Sequence, residues 1–114
     1  MATIYHNPRC SKSRQTLELI KNQDIEPEIV LYLESTLNAS AITELLSKLG
    51  ISARQLLRKG EQAYKEQNLA DASLTEKQLI EAMVKTPKLI ERPIVVVANK
   101  AIIGRPPELV LEIL

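Results

Sequence analysis

The chain of 114 residues holds one cysteine, Cys10, in the run His6-Asn7-Pro8-Arg9-Cys10-Ser11-Lys12-Ser13-Arg14. A lone cysteine reads in two ways. It is a small buried hydrophobe, since free cysteine is among the most buried residue types, or it is a nucleophile. Its neighbours favour the second reading. Cys10 falls between the end of one candidate strand and the start of a candidate helix, flanked by Arg9, Ser11 and Lys12. Backbone N–H groups, the positive end of the helix dipole and nearby cations would all stabilise a thiolate there, and the same features attract an oxyanion. Arg14 stands about one helical turn beyond Cys10, so its guanidinium is able to return to the helix start. His6 precedes Cys10 by four residues and is placed to assist the thiolate electrostatically or by hydrogen bonding. Arg14 reads equally as a solvated helix-face residue, and His6 as an ordinary strand-end side chain.

Two familiar thiol motifs are absent. Position 13 is Ser, so there is no C-x-x-C for an internal dithiol cycle. Thr16 occupies the position where a C-x5-R phosphate loop would carry its arginine. With no second cysteine, any redox cycle through Cys10 must borrow an outside thiol. Three more arginines sit in unusual settings: Arg58 in Leu56-Leu57-Arg58-Lys59-Gly60, Arg92 in Glu91-Arg92-Pro93, and Arg105 in Gly104-Arg105-Pro106-Pro107. A planar guanidinium donates two parallel charged hydrogen bonds, which suits a tetrahedral oxyanion. Spacing alone does not separate these three from arginines that merely keep a surface soluble.

The elements that must position these residues follow from the hydrophobic pattern. Residues 2–6 form a strand that ends at His6-Asn7-Pro8. A helix follows, with Ser11 and Ser13 as capping hydroxyls and Leu17, Leu19 and Ile20 on its apolar face, running out near Asn22. Residues 28–33 read as a second strand, parallel to the first through the crossover helix. The Cys10 loop then lies at the carboxyl edge of the sheet, where open α/β sheets place their ligands. From 40 to 86 the chain is helical: Ser40 as N-cap, Ile42, Leu45, Leu46 and Leu49 in helical spacing, Gly50 as the stop, weaker signals over 53–68, and a capping box at Thr75-Glu76-Lys77-Gln78 ended by Pro87. Ile94–Val97 and Ala101–Ile103 read as a hairpin, and Pro106-Pro107-Glu108 opens a last helix.

Composition bounds the function. Nearly half the residues are apolar, enough for a single domain to bury a core without metal or disulfide. Fifteen basic against fourteen acidic residues, three Tyr and no Phe or Trp leave neither the basic footprint nor the stacking platforms of a nucleic-acid binder. No apolar run approaches the roughly 18 residues of a membrane span, and the N-terminus lacks the basic and apolar regions of a signal peptide. Cytoplasmic residence is the expectation.

Taken as an ordered set, His6-Asn7-Pro8-Arg9-Cys10-Ser11-Lys12-Ser13-Arg14, Leu56-Leu57-Arg58-Lys59, Glu91-Arg92-Pro93-Ile94-Val95 and Gly104-Arg105-Pro106 resemble the ArsC-type arsenate reductases that work with glutaredoxin. The resemblance spans essentially the whole chain. It implies an α/β, thioredoxin-like mixed sheet over residues 1–114, with a helical insertion, about 40–86, between strands 2 and 3. It implies that Cys10 attacks arsenate, that glutathione takes up the adduct as co-substrate, and that glutaredoxin resolves it and frees arsenite. By the same resemblance Arg58, Arg92 and Arg105 hold the oxyanion, His6 is linked to thiolate activation, and the bond before Pro93 is cis. No bound cofactor or metal is implied. The chain stops at Leu114, just after its last helix, whereas better-studied reductases of this type continue further. Two other readings share the pattern. Spx-type transcription regulators have this fold but bind RNA polymerase and typically carry a C-x-x-C switch, which Ser13 replaces here. A thiol-dependent reductase for another substrate is the third.

Overall fold

Alternation of apolar and polar residues at the start of the chain produces β1 (Ala2–Tyr5), whose Ala2 and Ile4 point inward and are fully buried. The computed structural model describes residues 2–34 and 37–114. It divides into two compact units, an α/β unit from residues 1–35 and 92–114 and a helical unit from 36–91.

In the α/β unit β1 leads through the Cys10 loop into α1 (Ser11–Asn22) and then β2 (Glu28–Val30). The sheet is completed by β3 (Ile94–Val97) and β4 (Lys100–Ile103) in the order β2-β1-β3-β4. β1 runs parallel to β2, with Ile4 opposite Ile29, and antiparallel to β3, with Ile4 opposite Val95. A parallel neighbour on one side and an antiparallel one on the other make the sheet mixed. The hairpin is tighter than the alternation suggests. Lys100 already pairs with Val97, so only Ala98 and Asn99 turn the chain, and Ala98 takes the positive φ (56°) such a turn demands. Ile4, Ile20, Val95 and Val110, none with any exposure, form the centre of the core, with Leu17, Leu19 and Ile102 packed against it.

Several boundaries differ from the sequence reading for identifiable reasons. β2 ends at Val30, because residues 31–34 fold into a turn closed by Glu34 N–H on Leu31 O (3.0 Å). α1 is capped by neither Ser11 nor Ser13: Cys10 is its N-cap residue and gives it no side-chain bond. The last helix is a 3₁₀ helix (Pro107–Glu112), packed on α1 and β4.

The helical unit contains α2 (Ala39–Leu49), α3 (Ala53–Leu56), α4 (Gln62–Glu66) and α5 (Glu76–Lys85). α2 starts one residue before Ser40, because Asn38 is the cap and its Oδ1 accepts the Ala41 N–H at 2.8 Å. It stops at Gly50, whose φ of 70° favours glycine. Thr75 and Gln78 form the expected capping box, and Ser52 and Gln55 form another. Ile42, Leu45, Leu56, Leu79 and Met83 are buried where α2, α3 and α5 meet. Ala53 N–H donates to Glu76 Oε2 (2.8 Å) and ties the starts of α3 and α5 together. Among the described residues no helix is long and apolar enough to cross a membrane.

Candidate active site

The loop that carries Cys10 is held by its own polar groups. Asn7 Oδ1 accepts the Arg9 N–H (3.0 Å), and Asn7 O accepts the Cys10 N–H (3.0 Å), giving the tight reversal that Asn-Pro promotes. His6 N–H donates to Val30 O (2.9 Å), so the strand end before the loop is still paired with β2. α1 then begins with Arg14 N–H on Cys10 O (3.0 Å). On its other side the loop is closed by Ser13, whose Oγ accepts the Asn7 N–H (3.1 Å) and meets His6 Nδ1 at 2.5 Å.

Cys10 is half-buried. Burial, the largest single influence on its thiol, pushes the pKa up. The Ser13 backbone N–H, a hydrogen bond from Arg92, the Lys12 backbone N–H and the Arg92 charge outweigh it, so the thiol ionises below its ordinary value. The sulfur is thus placed to be a thiolate by donors from two directions, the first turn of α1 and the segment preceding β3.

That second direction is set by the chain around β3 and β4. The Arg92–Pro93 bond is cis, as is Arg105–Pro106, and Pro93 is buried. Gly104 N–H donates to Pro93 O (2.9 Å), and Arg105 Nη1 donates to Arg92 O (3.1 Å), joining the two Arg-Pro segments. Gly104 is demanded by contact. A Cβ there would lie 2.7 Å from Thr16 Oγ1 and 3.0 Å from Pro93 Cγ, and Thr16 is fully buried with its hydroxyl on Lys12 O (2.8 Å).

The α/β unit therefore holds His6, Cys10, Arg14, Arg92, Pro93 and Arg105. Arg14 does return to the helix start: its Nη1 donates to Pro8 O (2.9 Å) and braces the loop. His6 reaches Ser13, and its ring is kept below the usual imidazole pKa by burial first, then by the charges of Arg14 and Lys21. Arg58 belongs to the helical unit, where its Nε and Nη1 each lie 3.6 Å from a carboxylate, Glu61 and Glu91 respectively, and its N–H donates to Leu89 O at 2.7 Å. Beside the loop a cavity of about 290 Å³ is walled by Pro8, Arg9, Leu31, Leu33 and Glu34.

Sequence reading gave Asn7 and Thr16 no structural role at the site and assigned the Ser13 hydroxyl to capping α1 rather than to His6 and Asn7. The signal was present. Ser13, Thr16 and Ile20, the buried residues of α1, follow the i, i+3, i+7 spacing, but a search for apolar periodicity passes over a stripe whose first two members are polar.

The chain is similar to known proteins over nearly its full length. The ArsC family model matches residues 5–113. The uncharacterized protein YfgD of Escherichia coli (strain K12) is 63% identical over 111 residues, covering 96% of this chain and 93% of that one. An arsenate reductase of Escherichia coli is 48% identical over 112 residues, covering 98% of this chain and 79% of that one. The solved structure of arsenate reductase from Vibrio cholerae superposes with a TM-score of 0.98 at 50% identity, covering 99% of this chain and 97% of that one. The fold is accordingly thioredoxin-like, with α2 to α5 inserted in the chain between β2 and β3.

Proposed function

Because this chain belongs to the ArsC family, we propose that it reduces arsenate to arsenite, with Cys10 as the single nucleophile and with glutathione and glutaredoxin as the thiol donors. The observation that carries the proposal is a half-buried sulfur at the start of α1, facing the Lys12 and Ser13 amides and the Arg92 guanidinium, which together hold its pKa low. Such a sulfur holds more of the nucleophilic thiolate form than an ordinary cysteine does. The same donors suit the oxygens of a tetrahedral anion. Arg92 and Arg105, linked through the Arg92 carbonyl, supply the guanidinium forks; for Arg58 the proposal rests on the family pattern alone.

The thiolate displaces one oxygen of arsenate, which leaves as water after taking up protons, and a Cys10–As(V) bond forms. Glutathione condenses with the adduct, releasing the elements of a second water and forming an As–S bond. The glutaredoxin thiolate then attacks the glutathione sulfur. The As–S bond to glutathione breaks and its electron pair stays on arsenic, which becomes As(III), while the two outside sulfurs are oxidised to a mixed disulfide. Water displaces Cys10 from arsenic, so the net change is arsenate plus two thiols to arsenite, one disulfide and one water. Cys10 is the only cysteine in the chain, and this scheme never requires a second. The reducing conditions it needs are those of the cytoplasm, which is the location proposed.

The test is a steady-state arsenate assay with glutathione and glutaredoxin supplied together or singly. Turnover is expected only with both, and Cys10→Ser is expected to abolish it. Full activity of the serine variant would remove Cys10 from the reaction. A wild-type protein that alkylates readily but leaves arsenate untouched would keep the nucleophile and reject the substrate.

A further inference from the structure

Arg58 is met by more negative charge than it can neutralise. Its Nε lies 3.6 Å from Glu61 Oε1 and its Nη1 3.6 Å from Glu91 Oε1, so one guanidinium faces two carboxylates. The backbone of the helical unit arranges both meetings. Leu57 and Ile90 form an isolated antiparallel bridge, with Arg58 N–H on Leu89 O (2.7 Å) and Glu91 N–H on Leu56 O (2.9 Å), and all four apolar residues are buried. Arg58 and Glu91 flank that bridge on its two segments. Glu61 is returned to Arg58 by a turn in which its N–H donates to Arg58 O (3.2 Å). It is also the N-cap residue of α4, yet its side chain gives that helix no capping bond.

The charge of Arg58 is compensated, but its hydrogen-bonding capacity is not. Both ion pairs are longer than the ordinary N–H···O distance of about 2.7–3.2 Å, and Nη1 is a buried atom with no hydrogen-bond partner among the described residues. Leaving a buried charged donor without an acceptor is costly. An oxygen of a tetrahedral anion is the acceptor that a guanidinium fork suits best. Such an anion must nevertheless approach a cluster of one positive and two negative charges, so the carboxylates oppose the binding that the bare donor favours.

We propose that Glu61 and Glu91 set the oxyanion affinity of this protein by competing for Arg58: they hold the guanidinium between turnovers, and the anion must take it over from them. Both are positioning residues that act through Arg58 and touch no reacting atom. The inference rests on the reading of Arg58 as an oxyanion ligand, and it predicts that removing either negative charge strengthens binding, whereas a salt bridge that only shaped the site would weaken binding when broken.

The experiment is protection of Cys10 from iodoacetamide by arsenate in the purified full chain, read as the arsenate concentration that halves the alkylation rate. Arg58→Ala is expected to raise that concentration by more than about tenfold. Glu61→Gln and Glu91→Gln are each expected to lower it by about two- to fivefold, the range of a partly exposed ion pair, and in turnover to lower the arsenate KM without raising kcat. In the Arg58→Ala background both gains should vanish, because the effect passes through the guanidinium. Weaker protection in Arg58→Ala with no gain in either glutamine variant would overturn the competition and keep Arg58 as a ligand. Equal gains with and without Arg58 would overturn it as well, since the carboxylates would then repel the anion directly. Protection by arsenate that Arg58→Ala leaves unaltered would remove Arg58 from the anion site and the proposal with it. The two glutamine variants lie on different segments, so a folding failure of one leaves the other to decide.

Discussion

Helices α2, α3 and α5 of the helical unit and helix α1 of the α/β unit face the same problem, unsatisfied first-turn amides, and solve it differently. Asn38 caps α2, and the Ser52 and Thr75 capping boxes close α3 and α5. α1 starts on Cys10, which makes no side-chain cap, while the hydroxyl of Ser13 in its first turn is turned back to His6 and Asn7. Forgoing a cap costs about 1 kcal/mol. In return the Lys12 and Ser13 amides act on the sulfur. The starts of α2, α3 and α5 are closed by side chains, whereas the short α4 and α1 are not, and in α1, where chemistry is proposed, the open amides serve the sulfur.

The comparison breaks most visibly at Arg92, which supports the sulfur from outside the helix. Arg92→Ala is expected to cut arsenate kcat/KM by more than about tenfold, as a charged hydrogen bond is worth about 1.5–3 kcal/mol, and to raise the pH midpoint of Cys10 alkylation. Unaltered values of both would leave α1 alone responsible for the thiolate. Next in size is Gly104→Ala. With Thr16 and Pro93 in the way of the new Cβ, overpacking should cost about 1–3 kcal/mol, read as a lower denaturation midpoint.

Thr75→Ala sharpens the contrast from the other side. Losing that capping box should remove about 1 kcal/mol of stability while arsenate kcat/KM stays as it was, because Thr75 takes no part in the proposed chemistry. A fall in turnover matching that of Arg92→Ala would undo the division of labour. The smallest effect is the pH dependence of stability itself. The pKa values of Cys10 and His6 are both lowered in the folded state, so each contributes stability that is complete above its unfolded pKa and is lost as pH falls through its folded one. Urea midpoints should decline in two gentle steps, beginning near the ordinary cysteine value of about 8.5 and the ordinary histidine value of about 6.5. Cys10→Ser should erase the upper step alone.

Much of this was legible before any coordinates. The parallel β1–α1–β2 unit, the Gly50 stop and the Thr75 capping box each depend on residues within a few positions of one another or on the general hand of a crossover. Boundaries were less legible, since Asn38 and Ser40 are both competent caps and only the chain's approach chose between them. At the candidate site, the position of Cys10 at a helix start followed from the loop's own residues. The partners of its neighbours did not, because Ser13 could have capped α1 as well as meet His6.

Sequence by itself determined that the chain has one thiol, that this thiol stands before a helix among cations, and that any redox cycle through it needs a thiol from elsewhere. Those are properties of composition and of contacts between near neighbours along the chain. Tertiary structure decided that Arg92 reaches Cys10, that Arg105 holds the Arg92 carbonyl, that Gly104 must be bare against Thr16, and that Ser13 turns to His6. Arg92 with Cys10 and Gly104 with Thr16 join residues some eighty or ninety positions apart, which meet because β3 pairs with β1; Arg105 and Arg92 meet at the ends of the β3–β4 hairpin, and for Ser13 the packing of its own buried loop made the choice.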